Sequence, residues 1–191
     1  TEGRLLKGLT RSYLIKQEPR MGWARKGACS EKTLLPYPCE TVAAHQWGLV
    51  WLCFAISSTE DFRKELPDFD LASAYQMAAV HDLAELETGD ITPVDGISSE
   101  EKHRLESKAM ESIGSDYPDE TSKKLTKVYN RYENRECVES KFIKDCDRLD
   151  FMITAFMLER QKFKGFDEFY PNSNKNFFTK IAQRLADELI A

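Results

Sequence analysis

Apolar residues recur at helical spacing along almost the whole chain, and no segment alternates apolar and polar residues long enough to indicate a half-buried strand. This pattern predicts an all-α fold. The predicted helices cover about 5–18, 41–57, 70–86, 98–114, 120–134, 136–164 and 175–190. Residues 20–39 have two glycines, two prolines and no hydrophobic period, which predicts a long loop. We therefore expect one domain over residues 1–191, a bundle of about six to seven helices with its core at about 20–165.

Charge, hydropathy and cysteine spacing exclude several classes of protein. The net charge is −5 with no long basic block, so a nucleic-acid polymer is a poor candidate for a partner. The longest apolar run, Leu49 to Ile56, has eight residues, less than half of a membrane-spanning helix. The five cysteines are odd in number and none lie two or three residues apart, as zinc-ribbon ligands do. This spacing indicates reduced thiols, and we expect a cytoplasmic protein without membrane association.

Histidine placement is the most informative feature for chemistry. The chain has three histidines, and His45 and His81 lie on the inward faces of consecutive predicted helices. Asp82 directly follows His81, and Asp147 shares the apolar face of a later predicted helix. Two imidazoles and two carboxylates form a mixed set of donors that suits Mn²⁺, Fe²⁺, Co²⁺ or Zn²⁺ and differs from the thiolate cages of structural zinc. A divalent ion in such a site polarises a phosphoryl oxygen and lowers the pKa of bound water.

Ordinary core histidines are the competing explanation for this pattern. A lone inward histidine is more often a hydrogen-bonded core residue than a metal ligand. Burying a polar side chain without a partner costs about 1–3 kcal/mol, so four together are tolerable only if they satisfy one another or share an ion. The set of four therefore favours a metal site. His103 lies in the charged 100–110 stretch, and we expect it to be a solvated surface residue.

Three segments that contain these residues resemble the HD-domain phosphohydrolases, and the 5′-deoxynucleotidase branch in particular. They are Glu40–His45, the string His-Asp-x-x-Glu-x-x-Thr-Gly-Asp over 81–90, and Lys144–Asp150. The resemblance also covers Pro19–Trp23, so it spans about residues 20–159. It implies that one divalent metal ion, Co²⁺, Mn²⁺, Zn²⁺ or Fe²⁺, is bound by His45, His81, Asp82 and Asp147.

The same resemblance suggests roles for nearby residues. Glu85 lies one helical turn after His81, so we expect it to face the same side and to hold and deprotonate the attacking water. Asp90 would face the phosphate or sugar as a proton relay or hydroxyl acceptor, although an ordinary turn aspartate fits the local sequence nearly as well. Arg20 would hold phosphate, and Trp23 would form a wall that excludes a ribose 2′-hydroxyl. A surface cation and a core aromatic are the ordinary alternatives for these two.

The resemblance implies a metal-dependent enzyme that hydrolyses deoxynucleoside 5′-monophosphates, small-molecule substrates, and that forms a homodimer or larger homo-oligomer. Residues 24–39 exceed the corresponding connection of the family and include Arg25, Lys26 and Lys32, which could contact further phosphates. A deoxynucleoside triphosphate triphosphohydrolase, including the phage type that removes dATP, is therefore the alternative enzyme; a solvated loop is the ordinary explanation. A non-catalytic nucleotide-binding module is the alternative from another class, and Glu85 and Asp90 argue against it. A purely structural helical protein is the third possibility.

Overall fold

The computed structural model describes residues 2–26, 40–160 and 177–191, and these ranges are helical, with no strand. The helices are α1 (Glu2–Ser12), α2 (Met21–Arg25), α3 (Val42–Ser57), α4 (Glu60–Glu65), α5 (Leu71–Val80), α6 (Glu85–Thr88), α7 (Ser99–Ser115), α8 (Asp119–Glu133), α9 (Val138–Arg160) and α10 (Lys180–Ile190). Short 3₁₀ turns occur at Tyr13–Gln17 and Pro93–Asp95. Within the described residues, the prediction of an all-α fold is confirmed.

Some predictions concern residues outside the described ranges. They include Lys32 and the rest of the loop from residue 27 to 39, the predicted end of the long helix near residue 164, and the predicted start of the last helix near residue 175. The single domain over residues 1–191 stays a prediction. No helix in the described ranges combines the length and the apolar character needed to cross a bilayer.

The long helix α9 lies at the centre of the main core, and α3, α5, α8 and α10 pack against it. The fully buried side chains of this core include Leu49, Met77, Phe142, Ile143, Leu149 and Met152. Burying each such side chain stabilises the fold by about 1.5–3 kcal/mol. A second, smaller apolar cluster joins α6, α7 and α8. The segment between α5 and α6 connects the two clusters, and it carries His81 and Asp82.

Helix starts follow the capping residues in the sequence. The side chain of Thr41 accepts the Ala44 N–H at the start of α3. Asp70 and Ser98 act in the same way at the starts of α5 and α7, as predicted. Each such cap is worth about 1 kcal/mol of helix stability. These local signals position α3 and α5, the helices that lead into the candidate site.

The predicted helix over residues 70–86 is wrong in one respect, because it is interrupted at His81. α5 ends at Val80, and the next residues form a tight turn in which the Leu83 N–H donates to Val80 and the Glu85 N–H donates to Asp82. Hydrogen bonds between residues three apart wind the chain more tightly than the four-residue bonds of an α-helix, and such turns often mark functional segments. The interruption changes the direction of the chain at the predicted metal-binding pair. It cannot be seen in the hydrophobic spacing, which continues through it.

The first helix differs from the prediction in its end and in the burial of its apolar side chains. α1 ends at Ser12 and a 3₁₀ turn follows, whereas the spacing predicts one helix to about residue 18. The predicted apolar stripe is largely exposed: Leu6 of α1 is 62% accessible, and Leu14 in the 3₁₀ turn is 52% accessible. Helix α1 contacts the rest of the protein through Gly8, which lies against the ring of Tyr117, and through charged side chains. Arg4 pairs with Asp119, and Lys7 and Arg11 both pair with Asp116. The spacing of leucines therefore predicts the helix, but the core does not bury its leucines.

Buried Asp145 attaches the last helix to α9. Its carboxylate accepts the backbone N–H groups of Phe178 and Thr179, both at 2.8 Å, and the Thr179 hydroxyl at 2.9 Å. Hydrogen bonds to a charged acceptor contribute about 1.5–3 kcal/mol each. The sequence pattern does not distinguish this structural aspartate from Asp147, two residues later.

Candidate metal centre and active-site cavity

The four predicted metal ligands come together at one point. Helix α3 supplies His45, the turn after α5 supplies His81 and Asp82, and α9 supplies Asp147. The Nε2 atoms of the two histidines are 3.3 Å apart, and the ligand atoms of His45, His81 and Asp147 all lie within 4.8 Å of one another. Asp82 Oδ2 is 3.0 Å from the Nε2 atom of His81. Three elements distant in sequence thus converge on one set of nitrogen and oxygen donors.

Hydrogen bonds at the Nδ1 atoms orient both imidazole rings of the group. The Nδ1 atom of His81 donates to the carbonyl of Ala78 at 2.9 Å, and the Nδ1 atom of His45 is 2.6 Å from Asp150 Oδ2. These outer contacts direct both Nε2 atoms toward Asp82 and Asp147 and support ligation, as carboxylates and carbonyls do in metal proteins. The chemistry of two imidazoles and two carboxylates fits Mn²⁺, Fe²⁺, Co²⁺ or Zn²⁺. The residues present therefore fit one divalent ion.

Electrostatics at this point favour a cation. Burial favours the neutral ring of His45, but hydrogen bonds to Asp147 and Asp150 outweigh it and raise the pKa of His45 to about 10. Burial alone would raise the pKa of Asp82. The positive charges of His81, His45 and Arg20 outweigh burial and hold the pKa of Asp82 well below its ordinary value. The pKa of Asp147 is also well below its ordinary value, because the attraction of Lys144 and of the histidines outweighs burial. Both carboxylates are thus charged at neutral pH, and a metal ion can replace the imidazole proton.

Gly48 makes room for the contact between Asp150 and His45. A Cβ atom at position 48 would overlap with Asp150 Oδ1, far inside van der Waals contact. The position is in the middle of α3, where alanine would otherwise stabilise a helix by about 0.5–1 kcal/mol relative to glycine. The close approach of the Asp150 carboxylate explains why the small residue is needed here.

We expect Gly48→Ala to weaken metal binding by about 10–100-fold, the usual cost of disturbing a residue that orients a ligand. The added methyl group displaces Asp150 from His45, so the imidazole loses its outer contact. Titration of the metal-free protein with Mn²⁺ measures the effect. Gly3→Ala, in the exposed part of α1, is the control, because a Cβ atom at position 3 would have no other atom within 4 Å. An unchanged Mn²⁺ affinity in Gly48→Ala would contradict this account of Asp150.

Arg20 lies beside the ligand cluster. Its Nη1 atom is 3.3 Å from Asp82 Oδ2 and 3.8 Å from both Glu85 Oε2 and Asp90 Oδ1. Burial acts against its charge, but these three carboxylates outweigh burial and raise the pKa of Arg20 further. Asp90 Oδ2 also accepts the Met21 N–H at 2.8 Å, so the loop after α6 is attached to the start of α2. The guanidinium is therefore charged and held in place where an anionic oxygen could bind.

Glu85 is buried beside the cavity and incompletely hydrogen-bonded. It is 3% exposed, and its Oε2 atom has no hydrogen-bond partner among the described residues. Burial, together with repulsion from Asp82 and Asp90, raises the pKa of Glu85 to about 10. Leaving a buried polar atom without a partner costs about 1–3 kcal/mol, so such an atom calls for a functional explanation. A water molecule or substrate oxygen is the partner that its position suits.

A cavity of about 530 Å³ opens beside these residues. Its size is in the usual range for small-molecule sites. Besides the acids and Arg20, several basic side chains from α7, α9 and the turn after α8 line it, namely Lys102, His103, Arg135, Lys144 and Arg148. His103 is exposed, as expected, with 55% of its side chain accessible, and it lies at this cavity 3.5 Å from Glu133. The site is thus acidic at the metal centre and has cations on other walls.

Trp23 is placed differently from the prediction. It does not line the cavity formed by the described residues, and it is only 3% exposed. Its ring stacks on Phe151 with centroids 4.7 Å apart, and its indole N–H donates to Glu40 Oε2 at 2.6 Å. Phe151 itself lines the cavity. Trp23 therefore lies behind Phe151 and contacts the cavity through it.

The predicted cations at the end of α2 also differ from expectation. Lys26 is not among the described residues that line the cavity. Arg25 makes two hydrogen bonds to the carboxylate of Asp95, at 2.6 and 3.1 Å, and a third to the hydroxyl of Thr92. Because α2 directs Arg25 toward the Pro93–Asp95 turn, its guanidinium is already paired with a carboxylate. The triphosphate interpretation thus loses support from Arg25, while Lys32 lies outside the described residues.

Some cavity residues could have been found from sequence and others could not. Lys144 and Asp150 lie three residues before and after Asp147, so helical spacing puts them on the same face of α9. Lys102 and Arg135 have no such signal. They reach the cavity only because α7 and α8 pack near α5 and α6.

Comparison with known proteins finds a matching family, similar sequences and a similar fold. The sequence model of the HD domain family matches residues 14–189. The 5′-deoxynucleotidase HDDC2 of Mus musculus is 30% identical over 187 residues, which cover 97% of this chain and 86% of that protein. The 5′-deoxynucleotidase hdd1 of Schizosaccharomyces pombe is 34% identical over 155 residues, covering 79% and 70%. A conserved hypothetical protein from Pyrococcus furiosus has the same fold, with a TM-score of 0.76 at 22% identity over 97% of this chain and 98% of that one.

Proposed function

Because the chain belongs to the HD-domain family, we propose that it is a metal-dependent phosphohydrolase that converts deoxynucleoside 5′-monophosphates to deoxynucleosides and phosphate. The observation that carries the proposal is the grouping of His45, His81 and Asp147, with Asp82 against both histidines, beside a cavity lined by Arg20 and the incompletely bonded Glu85. The names of the mouse and fission-yeast relatives support the choice of a deoxynucleotide substrate.

We assign the divalent ion to His45, His81, Asp82 and Asp147, and propose that it is Mn²⁺, Co²⁺, Fe²⁺ or Zn²⁺. When bound, the ion supplies Lewis-acid polarisation of a phosphoryl oxygen, acidifies water, and favours the ionised form of nearby Glu85. The remaining steps of the reaction are carried out by side chains that are not metal ligands.

Arg20 binds the phosphate in this proposal. Its guanidinium is charged and already fixed by three carboxylates, so little reorganisation is needed when a phosphate oxygen arrives. Glu85 orients a water molecule through its incompletely bonded Oε2 atom and accepts a proton from it. Asp90 accepts the Met21 N–H and lies 3.8 Å from Arg20. In this proposal it serves as the proton relay or hydroxyl acceptor.

The sugar or base packs on Phe151 in this proposal, because Phe151 is an aromatic side chain of the cavity wall and lies one helical turn after Asp147 on α9. Trp23 supports Phe151 from behind and influences the deoxyribose preference only through it. Lys26 does not contact the substrate in this proposal, because it is not among the described residues that line the cavity.

A substrate screen tests the proposed function. We expect the Mn²⁺- or Co²⁺-loaded protein to release phosphate from deoxynucleoside monophosphates, to stop when EDTA is added, and to recover when the metal returns. Ribonucleoside monophosphates are the matched control for the sugar. Both phosphate and tripolyphosphate are measured, because release of tripolyphosphate from dATP would identify the triphosphohydrolase alternative. A metal-loaded protein inert toward every nucleotide contradicts an enzymatic function, and binding without turnover would then indicate a nucleotide-binding module.

A cytoplasmic location and a homodimer or larger homo-oligomer stay predictions. Within the described residues, Cys53, Cys137 and Cys146 are free thiols, which supports a reducing compartment. Sedimentation of the native protein measures the state of assembly.

A further inference from the structure

Arg135, in the turn between α8 and α9, has an unusual backbone conformation. Its φ of +53° makes it the single non-glycine residue with a positive φ in the described ranges. The position is the second residue after the end of α8, where glycine is common because a side chain is strained there. Backbone strain of this kind is often found at functional sites, so the arginine calls for an explanation.

The Arg135 side chain is held close to the candidate metal centre. Its Cζ atom lies 3.7 Å from the centre of the Tyr132 ring, and its Nη1 atom donates to the Tyr132 carbonyl. The Tyr132 ring is buried and meets the His81 ring edge-on, with centroids 5.3 Å apart. One aromatic ring therefore separates the guanidinium from a predicted metal ligand. Arg135 and Tyr132 both line the cavity.

Arg135 lacks the acidic partners that Arg20 has. No carboxylate oxygen of the described residues lies within 4 Å of its guanidinium nitrogens, whereas Arg20 has three such partners. An arginine has five N–H donors in a planar fork, and the contact with Tyr132 uses few of them. A fixed guanidinium with unused donors at a cavity wall suits a bidentate anion, above all a phosphate group.

We infer that Arg135 binds the phosphate group of the substrate, from a different wall of the cavity than Arg20. The inference rests on the proposed function, because it takes the ligand to be a phosphate monoester. Arg20 arrives with α2, and Arg135 arrives with the turn between α8 and α9, so two planar cations contact one group from separate elements. The competing explanation is that Arg135 only caps the C-terminus of α8 through the Tyr132 carbonyl.

Two substitutions separate these explanations. Arg135→Gly removes the guanidinium but adopts the positive φ without strain. Arg135→Lys keeps a positive charge and the backbone strain but lacks the planar fork. If Arg135 binds phosphate, Arg135→Gly raises the KM for dAMP by about 10–100-fold, as expected for a lost charge-assisted hydrogen bond, and Tm stays equal or rises. Arg135→Lys then recovers part of the affinity.

The measurements are steady-state kinetics with dAMP, inhibition by deoxyadenosine, and the shift in Tm on adding inorganic phosphate to the Mn²⁺-loaded protein. We expect Arg135→Gly to lose the phosphate-induced shift and to keep inhibition by deoxyadenosine. If Arg135→Gly leaves both the KM and the phosphate-induced shift in Tm unchanged, the inference is overturned. If the Tm of the free protein also falls, Arg135 only caps the C-terminus of α8. Equal losses for dAMP and deoxyadenosine would also overturn it, because the contact would then be with sugar or base.

The phosphate shift keeps this test separate from that of the proposed function, because it needs no turnover. If the wild-type protein hydrolyses no nucleotide but phosphate still raises its Tm and not that of Arg135→Gly, the proposed function fails and Arg135 remains a phosphate ligand. If wild type and Arg135→Gly hydrolyse dAMP with the same KM, the function stands and the role of Arg135 fails.

Discussion

Replacing Glu85 by glutamine is expected to lower kcat for phosphate release by about 10²–10⁴-fold, the usual contribution of a general base. The amide keeps the size of the side chain and can still contact a water molecule, but it cannot accept a proton from it. Metal content is expected to stay unchanged, because Glu85 is not among the four proposed ligands. Phosphate release under saturating deoxynucleotide and metal analysis of the same sample measure both quantities.

The Glu85→Gln protein is expected to be folded as stably as the wild type. Burial and the neighbouring carboxylates raise the pKa of Glu85 to about 10, so the neutral acid is the form that the metal-free fold accommodates at pH 7. Glutamine resembles that neutral form in shape. Glu101→Gln on α7 is the matched control, because Glu101 is half exposed and pairs with Arg104. A kcat within threefold of wild type in Glu85→Gln would remove Glu85 from the mechanism.

Replacing His81 by alanine is expected to remove the bound metal and, with it, all measurable phosphate release. Disturbing a residue that only orients a ligand costs about 10–100-fold in metal affinity, and the loss of a ligand is expected to cost at least as much. The His81 Nε2 atom lies 3.3 Å from its counterpart in His45 and 3.0 Å from Asp82, so no other side chain can take its place without moving these two. Metal analysis after dialysis, compared with wild type, measures the loss.

His103→Ala is the control for His81→Ala. It removes an imidazole at the same cavity, but one whose side chain is 55% exposed and 3.5 Å from Glu133 rather than among the proposed ligands. Its metal content is expected to equal that of wild type. Equal metal content in His81→Ala and wild type would contradict the proposed centre and favour a structural role for the buried histidines.

Much of the site could be predicted from local sequence because its signals are local. The inward positions of His45, His81 and Asp147 follow from helical periodicity, Asp82 directly follows His81, and the family resemblance assigns all four to one metal ion. The all-α fold follows in the same way, since hydrophobic spacing reports which face of each helix is buried. The interruption at His81 breaks this rule, because three-residue hydrogen bonds replace helical ones without changing the apolar spacing.

The sequence by itself determined most of the helices, the inward faces of those that carry the site and the residues that could bind a metal, because these depend on neighbours within a few turns of chain. Only the tertiary structure decided that Asp150 fits against Gly48 to reach His45, that Trp23 lies behind Phe151, and that Arg135 reaches the cavity. Each of these contacts depends on the distance between elements far apart in sequence, to within about the size of one methyl group. Periodicity carries no information on that distance, since it is set by how the side chains of packed helices interlock.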